Sequence, residues 1–264
     1  MKIGFIGVGA MAKAIIKGLI ASKNVSAADI NIHSAHQANY EPFAKENGVV
    51  SFDSNQELVA QSEVVVLAVA PEQAESVLQE VRPQLKDKKL VSIVGGMSIN
   101  RLEELSDYNL PILRALPNIN VEILAGMTAL AANAQLKETD KKQLGELFQS
   151  LGEISWQPEE AFGIFSALAG SSPAYVDFFI DSLSRVGVKY GLSKNAATKI
   201  AAQAVQGSAQ MVLKSSQTPF ELIDQVSSPG GSTVAGLLAM EEAGFMTAVV
   251  KGIDATIQKN NQVD

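Results

Sequence analysis

Apolar positions in the first 157 residues fall into short, nearly pure runs separated by stretches with helical spacing. The run 64–69 holds no polar residue, which suits a strand covered on both faces. Runs at 2–6, 30–33, 49–52, 90–94, 112–116, 123–131 and 153–156 read as further strands. Between them, Met11, Ile15 and Leu19 recur at helical spacing and predict a helix over 10–21. More helices are predicted through 40–46 and over 56–61, 71–81, 98–105 and 141–151. Ser54 is placed to cap the helix over 56–61, with Glu57 placed to complete a capping box. Pro71 sits where a first-turn proline belongs. This βαβα alternation predicts a doubly wound, Rossmann-type parallel sheet with helices on both faces.

Beyond residue 157 the strand signals stop. The stretches 158–169, 173–190, 194–214, 219–226, 233–243 and 246–260 read as helices. Ser172-Pro173, Ser193, Thr218 and Ser232 serve as starts, and Gly191 and Gly244 as stops. Positions 175–183 are apolar nearly all round (Tyr175, Val176, Phe178, Phe179, Ile180, Leu183), so that helix must be buried. Five or six helices of this size do not cover it alone, which predicts a partner subunit. The expected division is an α/β domain over 1–157 and an all-helical domain over 158–264.

The first turn of the α/β half is chemically specific. "KIGFIGVGAMAKAI" places G-x-G-x-x-A between a strand and a helix. Gly7 allows the tight turn, Gly9 lets a pyrophosphate approach the backbone, and Ala12 lets the helix pack on the strand. The helix start supplies free N–H groups and positive potential for phosphate. A dinucleotide is the ligand this pattern fits. At the end of the second strand, where NAD enzymes place an acid, the chain has His33, Ser34 and His36. A 2′-phosphate is therefore tolerated there, which favours NADP over NAD. The small residues Ala68, Val69, Ala70 and Pro71, and those at 94–96, lie at strand ends with room for ribose or nicotinamide.

Charge and composition narrow the partners. The 264 residues carry a net charge of −7, with no Lys/Arg cluster beyond three, so nucleic acid is not an expected partner. With no cysteine, disulfides, thiolate nucleophiles and Cys-based zinc sites are excluded, and no metal is expected. The start lacks signal-peptide features and no apolar run reaches the roughly 18 residues of a membrane span. A cytoplasmic location and no membrane partner are expected.

Three stretches resemble one another as anion-holding sites: Pro117-Asn118 at a strand end, Gly170 to Pro173, and "SPGGST" from Ser228 to Thr233. Each offers amides, polar side chains or helix starts suited to a carboxylate. Both histidines lie in the first half, so the proton donor a ketone reduction needs is hard to find. A protonated imine is already electrophilic, and one hydroxyl such as Thr233 suffices to steer its nitrogen. The inventory fits imine reduction better than carbonyl reduction.

On "IGFIGVGAMAKAIIKGL", "VVVLAVAP", "GSSPAYVDFFIDSL" and above all "LIDQVSSPGGSTVAGLLAMEEAGF", the chain resembles the pyrroline-5-carboxylate reductases over essentially its full length. The resemblance implies reduction of 1-pyrroline-5-carboxylate to L-proline, the last step of proline biosynthesis, with NADPH, or with NADH. It implies a homodimer with interlocked C-terminal helices, assembled in some members into larger rings such as a decamer. It places substrate on Gly230, Gly231, Ser232 and Thr233, with Thr233 bonding the ring nitrogen, and on Glu159. It places the cofactor on Gly7, Val8, Gly9, Ala10, Met11, Ala12, Ser34, Asn55, Ala68, Val69, Ala70, Pro71, Ile93, Val94 and Gly95. The chain departs from the family where Ala70 replaces a lysine in A-V-K-P and where Ile119-Asn120 replaces the T-P of M-P-N-T-P. Two other readings compete: a β-hydroxyacid dehydrogenase, whose helix lysine the stretch 173–183 lacks, and a non-catalytic NADP-binding paralogue with a regulatory role.

Overall fold

The computed structural model describes residues 1–260 and divides into two compact units, Met1–Ser171 together with 257–260, and Ser172–Thr256. The expected domain start at 158 lies before that division. The intervening stretch 158–171 groups with the sheet-bearing unit. The expected helical domain ran on to 264, and its last four residues lie outside the described ones.

The first unit is built on one eight-stranded sheet. Its strands are β1 (Ile3–Ile6), β2 (Ile30–His33), β3 (Val50–Ser51), β4 (Val64–Leu67), β5 (Lys89–Ser92), β6 (Ile112–Leu116), β7 (Gly126–Ala132) and β8 (Gly152–Trp156), ordered β3-β2-β1-β4-β5-β6-β7-β8. The helices are α1 (Ala10–Ser22), α2 (Gln37–Asn47), α3 (Asn55–Ala60), α4 (Pro71–Val81), α5 (Ile99–Leu105) and α6 (Glu138–Gln149). Residues of α1, α2 and α6 pack with Ile3, Phe5, Val64 and Val66 in one apolar cluster. Those of α3, α4 and α5 pack with Val65 and Leu67 in another. Alternate residues of β4 thus face opposite clusters, and all four are buried. That is the physical reason its sequence carries no polar position, each such side chain contributing about 1.5–3 kcal/mol on burial.

Three expectations need correction. The sheet is not parallel throughout: β7 runs antiparallel to β6, with β8 parallel to β7. The connection 117–125 is too short for a crossover, which takes about a dozen residues or more. The strand expected from 123 begins at Gly126, because Ile119–Ile123 coils into a 3-10 turn that Leu124 ends at φ 60°. Finally, Ser54 Oγ accepts from the Glu57 amide at 3.2 Å, but only this half of the expected capping box forms.

A fourth correction concerns the junction with the helical half. The stretch expected as one helix and then a loop is a 3-10 turn (Glu159–Ala161), α7 (Phe162–Phe165), a π-helical turn (Ser166–Ser171) and then α8 (Ser172–Lys189), without a break from Phe162 onward. Pro173 lies inside this run. It has no N–H to give the carbonyl four residues back, that of Ala169. The Asn118 side chain supplies the missing donor, with Nδ2 3.0 Å from Ala169 O, while its Oδ1 accepts from the Met127 amide at 3.2 Å. A wider turn and an amide from the β6–β7 connection thus let the helix pass through a proline.

The second unit continues α8 and adds α9 (Lys194–Lys214), α10 (Pro219–Gln225), α11 (Ser232–Glu242) and most of α12 (Phe245–Asn260), of which 257–260 group with the first unit. Gly191 and Gly244 end helices with positive φ, as expected. Thr218 and Glu221 close a complete capping box at α10. Ser184, Ala197 and Ala201 are its buried residues, and α10, α11 and α12 contribute none. The helix expected to be deeply buried leaves Phe178 75% exposed in the single chain. Among the described residues no single helix is long and apolar enough to cross a membrane; α11 and α12 pass that test only as a pair bent by 49°.

Candidate active site

One cross-strand row organises the first unit's carboxyl edge. His33 pairs with Ile6, Ile6 with Leu67, Leu67 with Ser92, and Ser92 with Arg114. The residues that follow the first four are Ser34, Gly7, Ala68 and Ile93, so four expected cofactor contacts from distant parts of the sequence leave the sheet side by side. The reversal of strand order at β1 and β4 falls at Gly7 and Ala68, where open α/β sheets bind ligands.

The glycines there differ in kind. Gly7 holds φ +96°, and a Cβ on it would lie 2.4 Å from Ala68 O, so this position is closed to a side chain. Gly9, the N-cap of α1, has ordinary dihedrals, and a Cβ would meet nothing within 4 Å. Its bareness is unused by the protein's own packing and suits a group arriving from outside. No side chain caps α1, so its first amides are free for an anion. Val8 and Ala12 are buried and hold the turn to the core, while Gly9 and Ala10 are exposed and Met11 is intermediate.

The remaining expected contacts surround this edge. Ala68 and Val69 are half-buried, while Ala70 and Pro71 are exposed at the start of α4. Ile93 is half-buried and Val94 buried; Gly95 is open, since a Cβ there would meet nothing within 4 Å. Ser34 is half-buried. His33 is held inward, Nδ1 2.8 Å from Phe52 O and its ring edge-on to Tyr40 at 5.4 Å. Asn55 donates to Glu80 at 3.0 Å, and its Oδ1 is buried with no hydrogen-bond partner. The bare Gly9, the uncapped helix and this orphaned oxygen together fit a dinucleotide with donors of its own.

Two expected anion-holding stretches do other work. Gly170–Pro173 is helical rather than a loop, and the Asn118 side chain is taken up by Ala169 and Met127. In the second unit, the stretch 228–233 is a turn that leads into a helix start. Gly230 turns at φ +70°, Gly231 donates to Ser228 O at 2.9 Å, and Gly231 is the N-cap of α11 without any side-chain cap. A Cβ on Gly231 would lie 2.6 Å from Ser228 Oγ. Ser232 and Thr233 are exposed in the first turn that this N-cap leaves open.

Glu159 is engaged within the first unit. It pairs with Arg114 Nη1 at 2.5 Å, and the Arg114 guanidinium lies over the Phe162 ring at 4.8 Å. Arg114 was missed in the sequence. Its signal is a lone charge inside the apolar strand "ILRAL".

A family model for pyrroline-5-carboxylate reductase dimerisation matches residues 159–263, and one for coenzyme F420-dependent NADP oxidoreductases matches residues 2–96. The pyrroline-5-carboxylate reductase of Escherichia coli is 35% identical over 263 residues, covering 99% of this chain and 98% of that protein. A Streptococcus pyogenes 1-pyrroline-5-carboxylate reductase structure superposes with a TM-score of 0.89 at 38% identity, covering 99% of this chain and 98% of that one. A Plasmodium falciparum pyrroline carboxylate reductase structure with NADP bound gives a TM-score of 0.90 at 33% identity, covering 98% and 97%.

Proposed function

The chain belongs to the pyrroline-5-carboxylate reductase family, and we propose that it reduces 1-pyrroline-5-carboxylate to L-proline as the last step of proline biosynthesis. NADPH, or NADH, supplies the hydride when bound, from C4 of its nicotinamide to the imine carbon. The nitrogen keeps a proton taken from water, so imine, NADPH and H⁺ become proline and NADP⁺.

The first unit holds the dinucleotide. The observation that carries this is the single register row that delivers Gly7, Ser34, Ala68 and Ile93 to one edge. Gly7, Val8, Gly9, Ala10, Met11 and Ala12 make the pyrophosphate turn. Ser34 meets the 2′-phosphate, and no acid stands at that strand end to repel it. Asn55, Ala68, Val69, Ala70, Pro71, Ile93, Val94 and Gly95 border the rest of the cofactor.

The second unit holds the substrate at the start of α11. Amides at Gly231, Ser232 and Thr233 take the carboxylate, and the Thr233 hydroxyl bonds the ring nitrogen. Gly230 and Gly231 keep the backbone bare enough for the ring to approach. Catalysis is then positioning rather than strong acid chemistry. Functionally, the division stays at 157/158, with 158–264 serving substrate and association. The uncovered apolar surface of the second unit and the dimerisation family match support a homodimer with interlocked C-terminal helices, and we extend this to rings of dimers such as a decamer. We place the enzyme in the cytoplasm.

One assay tests the reading: oxidation of NADPH and of NADH with pyrroline-5-carboxylate, beside pyrroline-2-carboxylate. Turnover of the first substrate with NADPH preferred is expected. Cofactor binding without turnover, or turnover of a hydroxyacid instead, would replace it.

A further inference from the structure

Glu159 reaches back from the end of the sheet to two points on either side of one loop. Its Oε1 accepts from Arg114 Nη1 at 2.5 Å and from the Ile99 amide at 3.0 Å, and Oε2 accepts from the same amide at 3.2 Å. Arg114 lies opposite Ser92, the last residue of β5. Ile99 is the first residue of α5. The segment between them, 93–98, contains Ile93, Val94 and Gly95 and turns through Gly96 at φ +71°. One end of this loop is thus bonded to the Glu159 carboxylate through the Ile99 amide, and the other end leaves β5 beside Arg114, which the same carboxylate holds.

The surroundings make that arrangement firm. Phe162 is buried beneath the Arg114 guanidinium and packs in one cluster with Ile99, Ala129 and Ala131. The Arg114 side chain is only 11% exposed. Removing the carboxylate would leave this cation largely out of water without its counter-charge, and the first amide of α5 without an acceptor. A direct substrate role fits poorly. Both Glu159 carboxylate oxygens are already taken, by Arg114 and by the Ile99 amide.

We propose that Glu159 is a positioning residue for the cofactor: it pins the loop 93–98 at Ile99, fixes Arg114 on the strand beside the loop's start, and so holds the loop in the shape that accepts the nicotinamide half of the dinucleotide. This rests on the assignment of that loop to the cofactor. Two consecutive glycines give the segment wide conformational freedom, so an unclamped loop spends only part of its time in the binding shape. The apparent Kd rises by the inverse of that fraction.

The test uses Glu159→Ala, Glu159→Gln and Arg114→Met in the full chain. Three quantities are read: the Kd for NADPH from its nicotinamide fluorescence, amide hydrogen exchange over 93–99, and the KM for pyrroline-5-carboxylate at saturating NADPH. If the freed loop is competent about a tenth of the time, Glu159→Ala raises the NADPH Kd about tenfold and speeds exchange across the loop. Glu159→Gln, which still accepts from Ile99 but lacks the charge for Arg114, falls between. The substrate KM stays put. Unchanged Kd and unchanged loop exchange overturn the clamp, as does a raised substrate KM at constant NADPH Kd, which would return Glu159 to the substrate. If Glu159→Ala does not fold, the Glu159→Gln and Arg114→Met chains decide by the same readouts. An unaltered chain that binds no NADPH would overturn the functional reading itself, and the clamp's cofactor role with it.

Discussion

At the scale of single residues, Gly7 and Gly9 separate folding from binding within one motif. Gly7→Ala puts a side chain at φ +96° and 2.4 Å from a carbonyl oxygen. It should cost more than about 2 kcal/mol of stability, read by urea unfolding. Gly9→Ala places its methyl in open space and should leave stability within about 0.5 kcal/mol. Yet it should weaken NADPH binding by about tenfold or more, because the methyl occupies ground the pyrophosphate needs. Equal effects of the two changes on stability would remove the distinction. Thr233 is the corresponding test in the second unit. It stands exposed in the first turn of α11, so Thr233→Ala should fold normally. It should lower kcat/KM for the imine about 10- to 100-fold, the worth of one hydrogen bond to a charged group, with NADPH Kd unchanged. Lost cofactor affinity with intact turnover would contradict its assignment to substrate.

At the scale of elements, the continuous helix through Pro173 ties a backbone defect to a side chain far away in sequence. Asn118→Ala leaves the Ala169 carbonyl unpaired and should destabilise the chain by about 1–3 kcal/mol. Pro173→Ala restores an N–H at that point, so in its background Asn118→Ala should cost clearly less; a double-mutant cycle with no coupling would reject the link. This junction also shows where the sequence was legible and where it was not. Strands such as Ile30–His33 and helices such as Lys194–Lys214 announce themselves because their period and their caps are local. Ser-Ser-Pro reads locally as a helix start, and only Asn118, brought close by the sheet, reverses that. The antiparallel turn to β7 was hidden for the same reason, since Gly126 owes its place to Val121 and Leu151 pressing on it. Likewise the glycine turn was readable from spacing, whereas Arg114 and Glu159 form a pair only once the register is known. A second element-scale test concerns Asp181, which binds Lys194 Nζ at 2.5 Å and Arg185 Nε at 2.6 Å and so joins α8 to α9. The Lys194 bond, then the Arg185 bond, hold its carboxyl below the usual 3.8. A depressed carboxyl stabilises the fold above its unfolded value, and that contribution disappears as pH falls through the folded value. Stability followed from pH 6 downward should therefore drop below about pH 4, and Asp181→Asn should flatten that part of the curve. An identical pH profile in the variant would mean the pair contributes nothing.

At the scale of the whole molecule, the two units make opposite use of their apolar residues. The first buries them in three clusters. The second, with α8 to α12, leaves Phe178, Leu238, Met246, Val249 and Val250 more than half exposed. Exposed apolar surface of this extent marks an association face, and the family model matching 159–263 is one for dimerisation; in the homodimer proposed above, the partner is a second copy of the chain. Stability must then include the association step, so it depends on protein concentration. Each tenfold increase in concentration should add about 1.4 kcal/mol to the free energy of unfolding to separated chains. Phe178→Glu and Leu238→Glu should shift sedimentation toward the monomer, lower the unfolding midpoint and remove its concentration dependence. Lys142→Glu, exposed on the first unit's α6, should do none of these. A monomer in sedimentation that unfolds at one midpoint over a hundredfold range of concentration would show that the helical unit stands alone, with its apolar surface left for something other than itself.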